Sequence, residues 1–311
     1  MSLPQWTSAA IIAERPSKNV VDPHTPYAFL LEPECQNSGE VEDVAVVFLT
    51  NRECPYKCLM CDLWKNTTDV TVPYGAIPDQ IDYALSRLPP ARHIKLYNSG
   101  NFFDPQAIPP EDHDAIITRV KEFKTVIVEN HPRLCGPSVQ RFVKRLRQLE
   151  SDAKFEVAMG LETVHPEVLR LLNKQMTTDH FRDACRYLTS IDVAMRAFVL
   201  LRPPTLSEAE GVDWAKRSID FAFENGVAAV SVIPTRGGNG AMEKLAADSL
   251  FHPPSLASLE AVMQWGLKQR RGRVFVDLWD VGAWCGKDVN VTARVQRLQA
   301  MNLQQQVIPL I

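Results

Sequence analysis

The chain has 311 residues, 45% of them hydrophobic, enough to bury the core of one large α/β domain. Its 34 Lys and Arg against 37 Asp and Glu leave a net charge of −3, which excludes a general attraction for polyanions and restricts any nucleic-acid contact to a local patch or a partner. No run approaches the ~18 apolar residues of a membrane span, and the opening "MSLPQWTSAAIIAERPSKN" lacks the basic start and long apolar run of a signal peptide, so a cytoplasmic protein with no membrane contact is expected.

Residues 1–42 are rich in proline and polar residues, show no sustained period and read as a lead-in lying over the domain. From residue 44 a rhythm begins. "VAVVFLT" (44–50) is a continuous apolar run, as expected for a strand covered on both faces. After it come a helix at 77–88, a strand "HIKLYN" (93–98), a helix near 111–122, a strand "TVIVEN" (125–130) and a helix at 137–149. The alternation continues with "KFEVAMGLE" (154–162), helices at 165–172 and 178–190, "MRAFVLL" (195–201), a helix at 207–225, "AAVSVIP" (228–234) and a helix at 255–269. Six strand–helix units in succession predict parallel strands with right-handed crossovers. A seventh strand-like run, "RVFVDLW" (273–279), precedes a less regular tail. Polar or glycine-bearing sequence follows nearly every strand, which favours a partial (β/α)6 TIM-like barrel, with its site at the strand ends, over a flat doubly wound sheet. The expected divisions are a lead-in at 1–42, a core domain at 43–270 and a C-terminal extension at 271–311 that packs on the core.

Cys54, Cys58 and Cys61 crowd into "NRECPYKCLMCDLWKN", directly after the first of these strands. The other four of the seven cysteines, Cys35, Cys135, Cys185 and Cys285, are scattered, which is no disulfide framework. In a reducing compartment the cluster therefore holds ligands or reactive thiols. Structural zinc wants four protein ligands, and no fourth Cys or His stands at a matching spacing. A catalytic zinc uses three, but three soft thiolates point more readily to an iron–sulfur cluster, in which a [4Fe–4S] core keeps one iron open for a substrate or cofactor.

Cys-x3-Cys-x2-Cys after the first barrel strand resembles the signature of the radical S-adenosylmethionine (SAM) superfamily. The resemblance implies that the open iron chelates SAM and that reductive cleavage yields a 5′-deoxyadenosyl radical, with electrons from an external flavodoxin- or ferredoxin-type donor. It also implies that Met60, inside "CLMC", lies against the adenine of SAM. In "YNSGNFFD", Asn98, Ser99 and Gly100 occupy the place of the small-residue turn that contacts the SAM amino group, although the usual acid is missing there. Glu129 and Glu162 close successive apolar strands, and carboxylates there need a shared polar cavity. "GLETVHPEVLRLLNK" resembles a fourth-strand motif of the branch with tRNA methylthiotransferases and the elongator-type enzyme, which places Glu162 and Lys174 near SAM. Arg202 in "LLRPPTLSEAEG" and Arg236 in "IPTRGGNGAME" are placed to meet a carboxylate or phosphate, or to form surface ion pairs. His93, His131 and His165, at element boundaries, read as packing or hydrogen-bonding residues, the runs "RFVKRLRQ" and "KQRRGR" as solvated faces, and Cys285 as an isolated thiol.

Together, "VFLTNRECPYKCLMCDLWKN", "YNSGNFFD", "GLETVHPEVLRLLNKQMT" and "LLRPPTLSEAEGVDWAKRSIDFAFENG" resemble the archaeosine synthase radical SAM subunit and its bacterial relatives over most of residues 43–240. That resemblance implies a small-molecule or RNA substrate in 7-deazaguanine/tRNA modification and a partner subunit. Residues 1–42 offer only Cys35, too few for the second cluster of a methylthiotransferase. The competing expectation is a non-catalytic metal-binding or electron-transfer module of an RNA-modification complex.

Overall fold

Among the described residues eight strands form one sheet whose order follows the sequence: β1 (Ala28–Cys35), β2 (Val41–Leu49), β3 (His93–Asn98), β4 (Thr125–Glu129), β5 (Lys154–Glu162), β6 (Ala194–Leu201), β7 (Ala229–Pro234) and β8 (Arg273–Val276). The computed structural model describes residues 5–149, 151–282 and 290–309, so Cys285 lies outside the described residues. From β2 to β8 every neighbouring pair is parallel, and only β1 runs antiparallel, on the outer edge of β2. The sheet curls into a half-barrel: the ring of Tyr97 on β3 meets that of Phe198 on β6 at 6.0 Å, although two strands lie between them.

The strands carry apolar side chains on their outer face because helices cover it. Val47, Leu96, Val128, Val157, Val199 and Val232 belong to one continuous core with residues of the crossover helices. In α4 (Pro137–Gln148), Val139, Phe142, Val143 and Leu146 are buried at i, i+3, i+4 and i+7, while the arginines between them stay in solvent. Helix α7 (Glu208–Glu224) starts where Ser207 and Glu210 cap it reciprocally: the Ser207 N–H donates to the Glu210 carboxylate (2.9 Å) and the Glu210 N–H to the Ser207 hydroxyl (3.3 Å).

The inner face reverses the usual pattern. At the base of the barrel Arg196 of β6 donates to both carboxylate oxygens of Glu34 on β1 (2.9 and 2.6 Å) and to Glu156 on β5 (2.7 Å), while Lys95 of β3 donates to Glu34 and to Glu32 (2.5 and 2.6 Å). Arg273 of β8 adds a third cation and donates to the Cys35 carbonyl (3.0 Å), tying the two edges of the sheet. Burial opposes the charge on Glu34, yet Arg196 and Lys95 hold its carboxyl far below the usual range.

Three differences from the sequence reading follow. The lead-in contributes α1 (Ser8–Ala13) and strand β1; β1 escapes a pattern search because Pro33 and two inward glutamates interrupt it. Arg273, read as part of a solvated basic run, is 9% exposed. The tail holds a 14-residue helix, Val291–Gln304, whose Leu298 and Met301 are buried. Among the described residues no helix is long and apolar enough to cross a membrane.

Candidate active site

The three cysteines lie on the loop after β2, at the end of the barrel opposite the charge network, and the loop is held by its carbonyls. Lys57 Nζ donates to Cys54 O (2.7 Å), Asn173 Nδ2 to Lys57 O (2.7 Å), and Asn239 Nδ2 to Leu59 O and Cys61 O (2.6 and 3.2 Å). The Trp64 indole also donates to Cys61 O (3.0 Å), and the Leu59 N–H pairs with Leu172 O (2.9 Å). These contacts come from the loop itself, from Trp64 just after it and from two distant segments, at 172–173 and 239, so the loop has its shape before any ligand arrives. Helix α1 lies across it: Ile11 packs on Leu59, and Arg15 joins Lys18 and Lys57 around Glu53.

Cys58 is buried, and Cys54 and Cys61 are half-buried. Burial pushes all three thiols up, Cys58 to about 12, so none is a thiolate nucleophile by itself. A bound cation is what would deprotonate them. Among the described residues no three Cys, His, Asp or Glu side chains are grouped to hold a single metal ion; a cubane instead takes each cysteine on a different iron.

Around the loop stand the strand ends. At the end of β3, both polar atoms of the buried Asn98 amide lack a hydrogen-bond partner among the described residues, a costly state that a ligand would relieve. Tyr27, from the segment before β1, places its phenol beside Ser99. Gly100 has φ +151°, and a Cβ there would stand 2.9 Å from the Cys54 Cβ, so only glycine lets this turn approach the cysteine loop. Glu162 closes β5 at a bulge with φ +64°, a conformation a glutamate adopts only when its surroundings enforce it. Its carboxylate accepts from Lys174 Nζ (2.7 Å), with side chains 8% and 10% exposed. Glu129, half-buried at the end of β4, is pushed by burial to about 8, with Glu162 adding to the shift and Lys174 opposing it.

The structure thus brings together Cys54, Cys58, Cys61, Asn98, Ser99, Gly100, Glu129, Glu162 and Lys174. Met60 is half-buried and packs between the Leu59/Leu171 cluster and the Leu172/Leu200 cluster. Arg202 is committed elsewhere: its guanidinium donates to Glu208 (2.5 Å) and to Pro253 O (2.8 Å). The glycine run after β7 is also occupied, since Glu243 accepts from the Gly238 and Gly240 N–H groups and Arg236 pairs with Asp277. His131 packs as expected, stacked on Tyr56 at 4.0 Å with Nε2 bonded to Lys174 O (3.0 Å), and burial lowers it to about 3, which keeps it neutral.

Sequence reasoning missed Tyr27, Asn101 and the loop-holding role of Asn173 and Asn239. For Asn101 and Asn239 the available signal was an amide side chain next to a glycine; Asn173 follows a helix with no such mark, and nothing in the period of residues 1–42 marks Tyr27. Below the site Tyr27, Phe48, Tyr97 and Phe198 follow one another ring to ring at 5.6, 6.2 and 6.0 Å, separating it from the charges at the base.

No protein-family model matches the chain. An uncharacterized protein of Methanocaldococcus jannaschii is 21% identical over 262 residues, 79% of this chain and 71% of that protein. Archaeosine synthase subunit beta of Thermococcus kodakarensis is 28% identical over 220 residues, 68% of this chain and 67% of the relative. Among solved structures the archaeal Elp3 of Methanocaldococcus infernus superposes with a TM-score of 0.54 at 16% identity, over 83% of this chain and 62% of that one. The chain has the radical SAM fold. At this identity the radical SAM likeness is one of fold alone, while the chain is a distant relative of archaeosine synthase subunit beta.

Proposed function

We propose that the chain is a radical SAM enzyme that holds a [4Fe–4S] cluster on Cys54, Cys58 and Cys61 and SAM on the adjoining strand ends. The observation that carries the reading is a prearranged loop of three thiols facing strand ends that hold an amide unpartnered among the described residues, a buried carboxylate–ammonium pair and a further carboxyl. When bound, the cluster supplies the electron that splits SAM into methionine and a 5′-deoxyadenosyl radical able to take a hydrogen atom from a substrate. The chain's own residues do the rest. The Asn98–Gly100 turn offers polar groups at close range, and Glu162 with Lys174 presents both charges needed to meet an amino acid. Glu129, carrying its proton at neutral pH, offers a hydrogen-bond donor as well as an acceptor. Met60 supplies an apolar contact for a purine, and the aromatic wall keeps water from below.

Modified-nucleoside metabolism of the 7-deazaguanine/tRNA kind, carried out with a partner subunit, is the setting that the relationship to archaeosine synthase subunit beta supports. The net charge of −3 agrees with RNA being held largely by that partner. Anaerobic reconstitution with iron and sulfide, followed by dithionite and SAM, is expected to yield 5′-deoxyadenosine with the wild type and none with Cys58→Ala. Stoichiometric zinc without sulfide in the purified chain would sink the proposal and leave a metal-binding accessory module in its place.

A further inference from the structure

Asn101 follows the Asn98–Gly100 turn and is 1% exposed. Its Oδ1 accepts from the His131 N–H (2.8 Å), and that bond determines which end of the amide faces the cysteine loop. The NH2 group is left toward Cys54, with Nδ2 3.3 Å from Sγ. Neither partner is free to drift. His131 is fixed by its ring stack on Tyr56 and its bond to Lys174 O, and the next residue of the turn is held by the Phe102 N–H donating to Glu129 O (2.9 Å). Gly100 brings the turn against Cys54, so the short arm of asparagine is long enough to reach the sulfur.

A backbone N–H, from Tyr56, also faces the Cys54 sulfur, but the amide of Asn101 is a donor that substitution can remove. An N–H directed at a cysteine ligand stabilises the more negative state of an iron–sulfur cluster and so makes its one-electron reduction easier. We infer that Asn101 is a positioning residue that sets the cluster's reduction potential, donating an N–H···S hydrogen bond to Cys54 that raises it. The inference rests on the cluster reading above. It gives this amide a role toward the metal ligand. The electron comes from a ferredoxin- or flavodoxin-type donor, and a higher potential lets a weaker donor of that class deliver it.

The test is an EPR-monitored redox titration of the reconstituted full chain as wild type, Asn101→Asp and Asn101→Leu. Aspartate keeps the shape and the acceptor for His131 but turns an oxygen toward the sulfur, whereas leucine removes both hydrogen bonds without adding charge. Both variants are expected to titrate at lower potential than the wild type with unchanged iron and sulfide content. In chain labelled with 15N-asparagine, the nitrogen coupling to the reduced cluster seen by pulsed EPR should be lost in Asn101→Asp. Wild-type potentials at full cluster content, or a nitrogen coupling that Asn101→Asp leaves intact, would overturn the inference; if Asn101→Leu does not fold, the aspartate variant and the coupling decide it. A wild-type chain that takes up no iron and sulfide would instead overturn the cluster reading, and this inference with it.

Discussion

Gly160 makes the geometry of the site testable without touching a charged group. It lies on the inner face of β5 beside the bulge but outside the positive-φ region, so alanine meets no left-handed backbone strain. The obstacle is what the missing Cβ leaves room for: an ideal Cβ would stand 2.5 Å from Lys174 Nζ, 3.1 Å from Glu162 Cδ and closer still to Glu162 Oε1. Ordinary contact begins at 3.4 Å, so the ammonium must retreat by 0.9 Å (3.4 − 2.5) and the carboxylate by more. Glu162 has little freedom to comply because its φ of +64° is set by the bulge. If the pair moves as a unit, Gly160→Ala costs about 1–3 kcal/mol of overpacking, a loss of several degrees in the apoprotein's melting temperature. SAM affinity of the reconstituted chain is expected to fall by on the order of tenfold, equivalent to ~1.4 kcal/mol. The cause can be isolated in a double-mutant cycle by calorimetry or denaturant titration. Lys174→Met strands a buried carboxylate at ~3–5 kcal/mol, and Gly160→Ala added to it should cost clearly less than in the wild type. Additivity of the two to within ~0.5 kcal/mol, together with wild-type SAM affinity in Gly160→Ala, would refute the reading that this space is reserved for the ion pair.

Glu129 and Arg196 give two further expectations. With Glu129 pushed to about 8 from an ordinary 4.5, the folded apoprotein holds a proton between those values that the unfolded chain releases; stability falls as pH rises through that window and levels above it. Glu129→Gln should flatten that slope and stabilise the apoprotein above pH 8 by on the order of 2 kcal/mol, less than full linkage for a half-buried group, while weakening SAM binding; melting curves from pH 5 to 9 that parallel the wild type would disprove it. At the base, Arg196→Met leaves Glu34 and Glu156 poorly compensated and should cost ~3–5 kcal/mol. Adding Glu34→Gln and Glu156→Gln should deepen that loss, because the buried Lys95 and Arg273 then lose the carboxylates they pair with, and iron uptake below the melting temperature should not change. Chemical denaturation and iron analysis check both statements.

The parallel core was legible because its signals are local. "HIKLYN" and "KFEVAMGLE" match β3 and β5 residue for residue, and the helix expected at 178–190 is α6 (Thr178–Ser190), where Thr177 caps the first turn. Strand β1 was illegible for a physical reason: a period search assumes that charge faces water, whereas Glu34 faces Arg196 and Lys95 across a barrel whose closure depends on residues 61 and 162 positions away. The same limit applied at the site. Three cysteines within eight residues declare themselves, but Asn101, Asn239 and Tyr27 acquire meaning only once β3, β7 and the N-terminal segment have been folded against that loop.

The inner face is polar at both ends, and the two ends are satisfied differently. At the base, the buried charges of Arg196, Lys95, Glu34 and Glu156 are matched at hydrogen-bonding distance, so that layer resists change and holds the two sheet edges together. At the opposite end the Asn98 amide has no partner among the described residues, Glu162 is held in a strained conformation and Glu129 is kept from its ordinary ionisation. Such features reduce stability unless a ligand completes them, and they are concentrated around three thiols whose own protonation burial favours. If the base supplies the rigidity, neutralising its network should lower the melting temperature with and without ligand alike. SAM and cluster, in contrast, should stabilise the wild type most where Asn98, Glu129 and Glu162 are intact.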